Sequence, residues 1–121
     1  MIWDVKFDER FAEEFASFAD AVQVEIEALA RMLARFGPQL GRPHADTLKG
    51  SKHPNMKELR FKAADGAWRV AFAFDPERAA ILLVAGDKAG SSERRFYKQL
   101  IMTADKRFSE HLDRLPTGKG G

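Results

Sequence analysis

Residues 56–85 constrain the fold more than any other part of the chain. Three runs, 56–62, 68–74 and 79–85, read as strands, and only two short turns separate them, Ala64-Asp65-Gly66 and Asp75-Pro76-Glu77-Arg78. Turns this short join antiparallel neighbours, so the three runs form a meander. Trp68, Val70, Phe72 and Phe74 share one side of their strand, the alternation expected of a buried sheet face. Residues 79–85 are apolar throughout, which places that strand inside the sheet.

The flanks add helices. Residues 2–7 alternate, with Trp3, Val5 and Phe7 on one side, and predict a short strand. Asp8 is placed to cap a helix with Glu9 in its first turn. Phe11, Phe15 and Phe18, then Val22, Ile26, Leu29, Leu33 and Phe36, recur at helical spacing. Two helices are expected, with Asp20 as the second N-cap. Gly37-Pro38 ends them, because glycine accepts a positive φ and proline cannot extend the helix. Residues 37–55 hold three prolines and three glycines and read as one long connection, the kind of segment that often carries function. Past Gly86-Asp87-Lys88 and a small-residue loop, Phe96, Leu100, Ile101, Ala104, Phe108 and Leu112 mark a last helix. The order is β-α-α-β-β-β-α, a single α+β domain over 1–115 with helices on an antiparallel-rich sheet, followed by a disordered tail at 116–121.

Charge is unevenly placed. Residues 1–35 carry a net −4, residues 36–74 a net +4 and residues 75–121 a net +2. The acidic start and basic remainder suggest two faces with different partners, the basic one suited to phosphates. An equally good reading is that helices collect glutamate and strands collect arginine and lysine. No apolar run is long enough for a membrane span, and no secretory signal is visible at the start, so a cytoplasmic protein without a membrane partner is expected. The chain has no cysteine, which removes disulfides, thiol catalysis and thiolate metal sites together.

No glycine-rich phosphate loop, nucleophile elbow or metal-spaced histidine pair is present, so neither a cofactor nor a metal is expected. His44, His53 and His111 lie far apart, and His111 reads as a surface residue of the last helix. The polar signal sits in the meander. Glu58 and Arg60 share one face of their strand and Lys57 the other, while Arg69 lies opposite the apolar stripe of the next strand. With the strands paired in order, Arg60, Arg69 and Lys88 converge, and Tyr97 at the start of the last helix is near the same end. Cations, a carboxylate and a phenol suit phosphodiester chemistry, since arginine forks bind phosphate oxygens and a ring can stack on a base. Each has a plainer reading: Glu58–Arg60 as an ion pair worth about 0–1 kcal/mol when exposed, Arg69 as a solvated strand residue, Tyr97 as core. Lys49, Lys52, Lys57 and Lys98 are RNA-binding candidates on the same argument and solubilising lysines on the plain one.

The chain resembles the RelE/ParE superfamily of toxins from type II toxin–antitoxin systems, most closely its HigB-like, phage-related branch. The resemblance runs from Trp3 to Leu115. It rests on the order and spacing of the segments at 36–43, 48–51, 56–60, 68–75 and 81–88 and of Phe96-Tyr97. It implies a ribosome-dependent mRNA endonuclease that activates a ribose 2′-hydroxyl against the adjacent phosphate. It further implies Arg69 and Lys88 on the transition-state phosphate, Arg60 positioning it, and Tyr97 stacking on a base or moving a proton. Glu58 stands where some members have lysine, and is either the general base or a neutraliser of Arg60. Asp87 stands where others have histidine. The implied partners are the ribosome with its message and a cognate antitoxin of helix-turn-helix type. Acidic helix residues Glu13, Glu14, Glu25 and Glu27 are one contact surface for that antitoxin, and a plain solvated face on the other reading. Other members of the superfamily poison DNA gyrase without catalysis, and a degenerate copy would only bind its antitoxin. On the nuclease reading, Arg69→Ala is expected to abolish growth inhibition and leave the fold and antitoxin binding intact.

Overall fold

The computed structural model describes residues 2–116. Its elements are β1 (Asp4–Phe7), α1 (Glu9–Ala16), α2 (Asp20–Phe36), a 3-10 turn (Gly37–Gln39), β2 (Ala45–Thr47), β3 (Lys57–Ala63), β4 (Gly66–Phe74), β5 (Ala79–Asp87) and α3 (Glu93–Arg114). The five strands form one sheet in the order β1-β5-β4-β3-β2. The β3-β4-β5 meander is antiparallel as expected, β2 pairs antiparallel with β3, and β1 runs parallel to β5.

Local chemistry accounts for most boundaries. The Asp8 carboxylate accepts from the backbone N–H of Arg10 and Phe11, capping α1 as its position predicted. Asp20 does not cap α2. Ala19 holds that position without a side-chain bond, and Asp20 is the first helical residue, where its charge still faces the positive end of the helix. Gly37 follows at φ 58, and a Cβ there would drive into the Trp3 indole, so space and backbone both require glycine. Trp3 lies outside the strand expected at 2–7, its N–H bonded to the carbonyl of Ala34.

The connection at 37–55 is not one loop. It contains the 3-10 turn and the edge strand β2, which adds a strand to the expected order. Three residues of β2 are too few to show a period in sequence. The tail expected at 116–121 lies, apart from Pro116, outside the described residues.

Each sheet face has its own core. Helices α1 and α2 place Phe11, Val22, Ile26, Leu29 and Leu33 against Leu59, Val70, Phe72 and Leu82. Helix α3 places Leu100, Ala104 and Phe108 against Ala71, Ala73, Ile81 and Leu83. Arg107 ties α3 down by donating to the carbonyl of Leu83 and to both Glu14 carboxylate oxygens, at 2.8, 2.9 and 2.6 Å. Glu14 is thereby committed within the fold. His111 is not a free surface residue: its Nε2 lies 2.8 Å from the buried Asp75 carboxylate. Burial pushes that carboxyl up, but hydrogen bonds from His111, Ala79 N–H and Glu77 N–H outweigh it and leave Asp75 below the usual range.

Candidate active site

The α3 face of the meander is apolar toward one end and polar toward the other. On β3, Glu58 and Arg60 share a face, and the register sets Arg60 directly opposite Arg69 of β4. Like charges facing each other across a ladder repel. Each arginine is therefore matched to a carboxylate: Arg69 Nε lies 3.9 Å from Glu58 and Arg60 Nη1 lies 3.6 Å from Asp46 of β2.

Tyr97 closes this arrangement from α3. Its hydroxyl donates to Glu58 Oε1 at 2.9 Å and accepts from Arg69 Nε at 3.1 Å. Arg69 also donates to the carbonyl of Trp68 at 2.9 Å. Only 5% of Glu58 and 6% of Arg69 is exposed, so this is a buried network whose members satisfy one another. Burial raises the Glu58 carboxyl above its ordinary value, and the hydrogen bond from Tyr97 and the charge of Arg69 only partly offset it. Burial, then the bond to Glu58, likewise pushes the Tyr97 phenol up.

Above the network lies an open cleft of about 500 Å³. Arg42, Lys49, Arg60 and Lys88 line it, against the carboxylates Asp46, Glu58 and Glu93, with Tyr97 in its wall. The Lys88 ammonium donates to Glu93 at 3.0 Å, and that glutamate is largely exposed. Of the residues expected here, Glu58, Arg60, Lys88, Tyr97 and Lys49 meet at the cleft. Arg69 does not line it and sits beneath as a support. Lys57 faces a separate groove with Pro38, Thr47 and Phe74, while Lys52 and Lys98 are exposed away from the cleft. Arg42, Asp46 and Glu93 were not foreseen, and the first two depend on the unanticipated strand β2.

Asp87 has a structural role. Its Oδ1 accepts from Ala67 N–H and Ala89 N–H, at 3.0 and 2.9 Å, holding the chain where β5 leads to Lys88. Lys88 N–H is itself bonded to the carbonyl of Ala67 at 2.8 Å, so the backbone around the lysine is fixed from both sides.

Residues 13–109 match the phage-derived Gp49-like protein family. The chain is 45% identical over 98 residues to the candidate toxin HigB3 of Mycobacterium tuberculosis (strain ATCC 25618 / H37Rv), covering 81% of this chain and 82% of that protein. It is 48% identical over 86 residues to the candidate toxin HigB2 of the same strain, a match spanning 70% of this chain and 42% of HigB2. Among solved structures, a mutant E. coli RelE toxin in the free state superposes with a TM-score of 0.60 at 14% identity, covering 84% of this chain and 96% of RelE. The archaeal RelE–RelB complex from Pyrococcus horikoshii OT3 contains a chain that matches at a TM-score of 0.54 and 16% identity, covering 75% of this chain and 100% of that one. At these identities the structural likeness establishes the RelE-like fold.

Proposed function

The chain belongs to the phage-derived Gp49-like family, and on that premise we propose that it is the toxin of a type II toxin–antitoxin pair, cutting messenger RNA on the ribosome. The observation that carries the chemistry is the Arg69–Tyr97–Glu58 network opening onto a cleft that also presents Arg60 and Lys88. Phosphodiester cleavage by a neighbouring 2′-hydroxyl needs a proton acceptor, a proton donor and charge on the phosphate oxygens.

Glu58 is the acceptor. It is among the residues lining the cleft, and burial makes it a stronger base than a solvated glutamate. It takes the 2′-hydroxyl proton as that oxygen bonds to phosphorus. Arg60 and Lys88 bind the phosphate oxygens as negative charge builds on them, and Lys88 supplies a proton to the departing 5′-oxygen. The products are a 2′,3′-cyclic phosphate and a 5′-hydroxyl. Tyr97 and Arg69 act through Glu58, fixing its orientation by the two hydrogen bonds they share. A cognate antitoxin restrains this activity in the cell.

The test is primer extension on a defined message in a reconstituted translation system, with wild type, Lys88→Ala and Tyr97→Phe. We expect new 5′ ends within A-site codons that require ribosomes. They disappear in Lys88→Ala, and in Tyr97→Phe they are reduced by about 10²-fold, at the lower end of acid–base contributions. A message left intact by wild type would overturn the reading and direct the search to gyrase supercoiling.

A further inference from the structure

We propose that Asp46 is a built-in competitor for the RNA phosphate, holding Arg42 and Arg60 in ion pairs that a substrate must displace. The inference rests on the nuclease reading and addresses why such a cleft would leave free RNA alone. Four cationic side chains line it, but three carboxylates stand among them, so the cleft carries a single net positive charge when all are ionised. A surface built only to gather polyanions has no use for those acids.

Asp46 is the member best placed to compete. Its Oδ2 accepts from Arg42 Nε at 3.0 Å and from Arg42 Nη2 at 2.6 Å, and lies 3.6 Å from Arg60 Nη1. Its Oδ1 accepts from Thr47 N–H at 2.8 Å, which anchors the carboxylate to its own strand. One oxygen is thus fixed by backbone and the other is offered to two guanidinium groups. The Thr47 bond, then Arg42, also hold this carboxyl below the usual range, so it stays ionised at neutral pH. Glu93 makes the same kind of contact with Lys88, but its side chain is 72% exposed against 31% for Asp46, so solvent and salt screen it more. Arg42, at 72%, is equally open to solvent.

A phosphodiester reaching Arg60 must therefore exchange with Asp46, an exchange favoured only at high local concentration. A message seated in a ribosome supplies that concentration, whereas dilute RNA does not. The plainer role for Asp46 is to offset the repulsion between Arg60 and Arg69 across the ladder. That role makes a different prediction: loss of stability and no gain in RNA affinity.

The experiment is equilibrium binding of a short single-stranded RNA, 2′-O-methylated to block cleavage, to the full chain across a salt series. Asp46→Asn keeps an oxygen for Thr47 and puts a neutral amide NH2, which cannot accept from Arg42 or Arg60, in place of the charged oxygen. It is expected to tighten binding about tenfold and to steepen the slope of log affinity against log salt by about one. The gain should vanish when Arg42 and Arg60 are both replaced by alanine in the two backgrounds. Glu93→Gln should give a smaller gain. Unchanged or weaker binding by a folded Asp46→Asn protein, or a gain that survives loss of both arginines, would overturn the proposal. Failure of the nuclease reading shows elsewhere, as an uncut message on ribosomes, whatever the binding curves do.

Discussion

On the face covered by α1 and α2, strands β3 and β4 present Leu59, Phe61, Trp68, Val70 and Phe72, whereas on the α3 face the same two strands present Ala71, Ala73, Glu58 and Arg69. The first face is sealed by a run of aromatic contacts: Phe7 meets Phe11 and Phe15, Phe18 meets Trp68, and Trp68 stacks on Phe61. The second is apolar where α3 lies across β4 and β5, and Leu48 and Met56 extend that core beside β2 and β3. Its buried charged groups, Glu58 of β3 and Arg69 of β4, are satisfied by one another and by Tyr97. The difference shows a division of labour within one sheet. Large apolar side chains on one face give the domain its stability. The other face can then hold a buried arginine and a raised-pKa glutamate whose desolvation is costly.

The strongest way to break that comparison is Arg69→Ala. It leaves Glu58 and the Tyr97 hydroxyl without the guanidinium, and one-sided loss of a buried pair costs about 3–5 kcal/mol. The sequence-based expectation that this variant keeps its fold therefore conflicts with the burial of Arg69. A large drop in urea midpoint is expected together with complete loss of cleavage. Glu58→Leu with Arg69→Met should restore the midpoint to near wild type and leave cleavage absent, since an apolar pair of similar volume removes the charge mismatch. A double variant as unstable as Arg69→Ala would show that the network stabilises the fold.

On the opposite face, Phe11→Ala tests the dry core alone. Phe11 is fully buried, so truncation leaves a cavity costing about 3–5 kcal/mol. Because Phe11 touches none of the cleft, cleavage per folded molecule should match wild type at a temperature where both are folded. A catalytic defect in the folded variant would mean that the two faces are mechanically coupled.

These contrasts were partly legible in the chain. The period-2 stripe of Trp68, Val70, Phe72 and Phe74 and the helical stripe from Val22 to Leu33 each have many large side chains and a clear period, so the dry face could be read directly. The Arg60–Arg69 juxtaposition followed from tight turns, which fix register. Burial of Arg69 did not, because an arginine on a strand looks the same solvated or enclosed until the helix above it is placed. Asp46 escaped because β2 is held by pairing to β3 across three residues and has no pattern of its own. Lys52, Lys57 and Lys98 lie away from the cleft; alternation along β3 had already set Lys57 opposite Glu58 and Arg60, whereas Lys52 sits in a loop with no period to orient it.

The smallest expected effects come from two buried carboxylates with opposite shifts. Glu58 is raised by burial, so its contribution to stability is full below the ordinary glutamate range and is lost as pH rises through its folded value. Asp75 is lowered despite its burial, because hydrogen bonds from His111 and two backbone N–H groups hold the ionised form. Its contribution is present above the ordinary aspartate range and is lost as pH falls toward its folded value. Urea midpoints followed across pH should therefore show the two limbs separately. Glu58→Gln should remove the decline on the alkaline side of the ordinary glutamate range, and Asp75→Asn should flatten the acid limb alone. Cleavage in wild type should rise through the same interval in which Glu58 weakens the fold, because the base must lose its proton to act. A cleavage profile that ignores this interval while the stability profile follows it would leave Glu58 a buried partner of Arg69 and remove it as the proton acceptor.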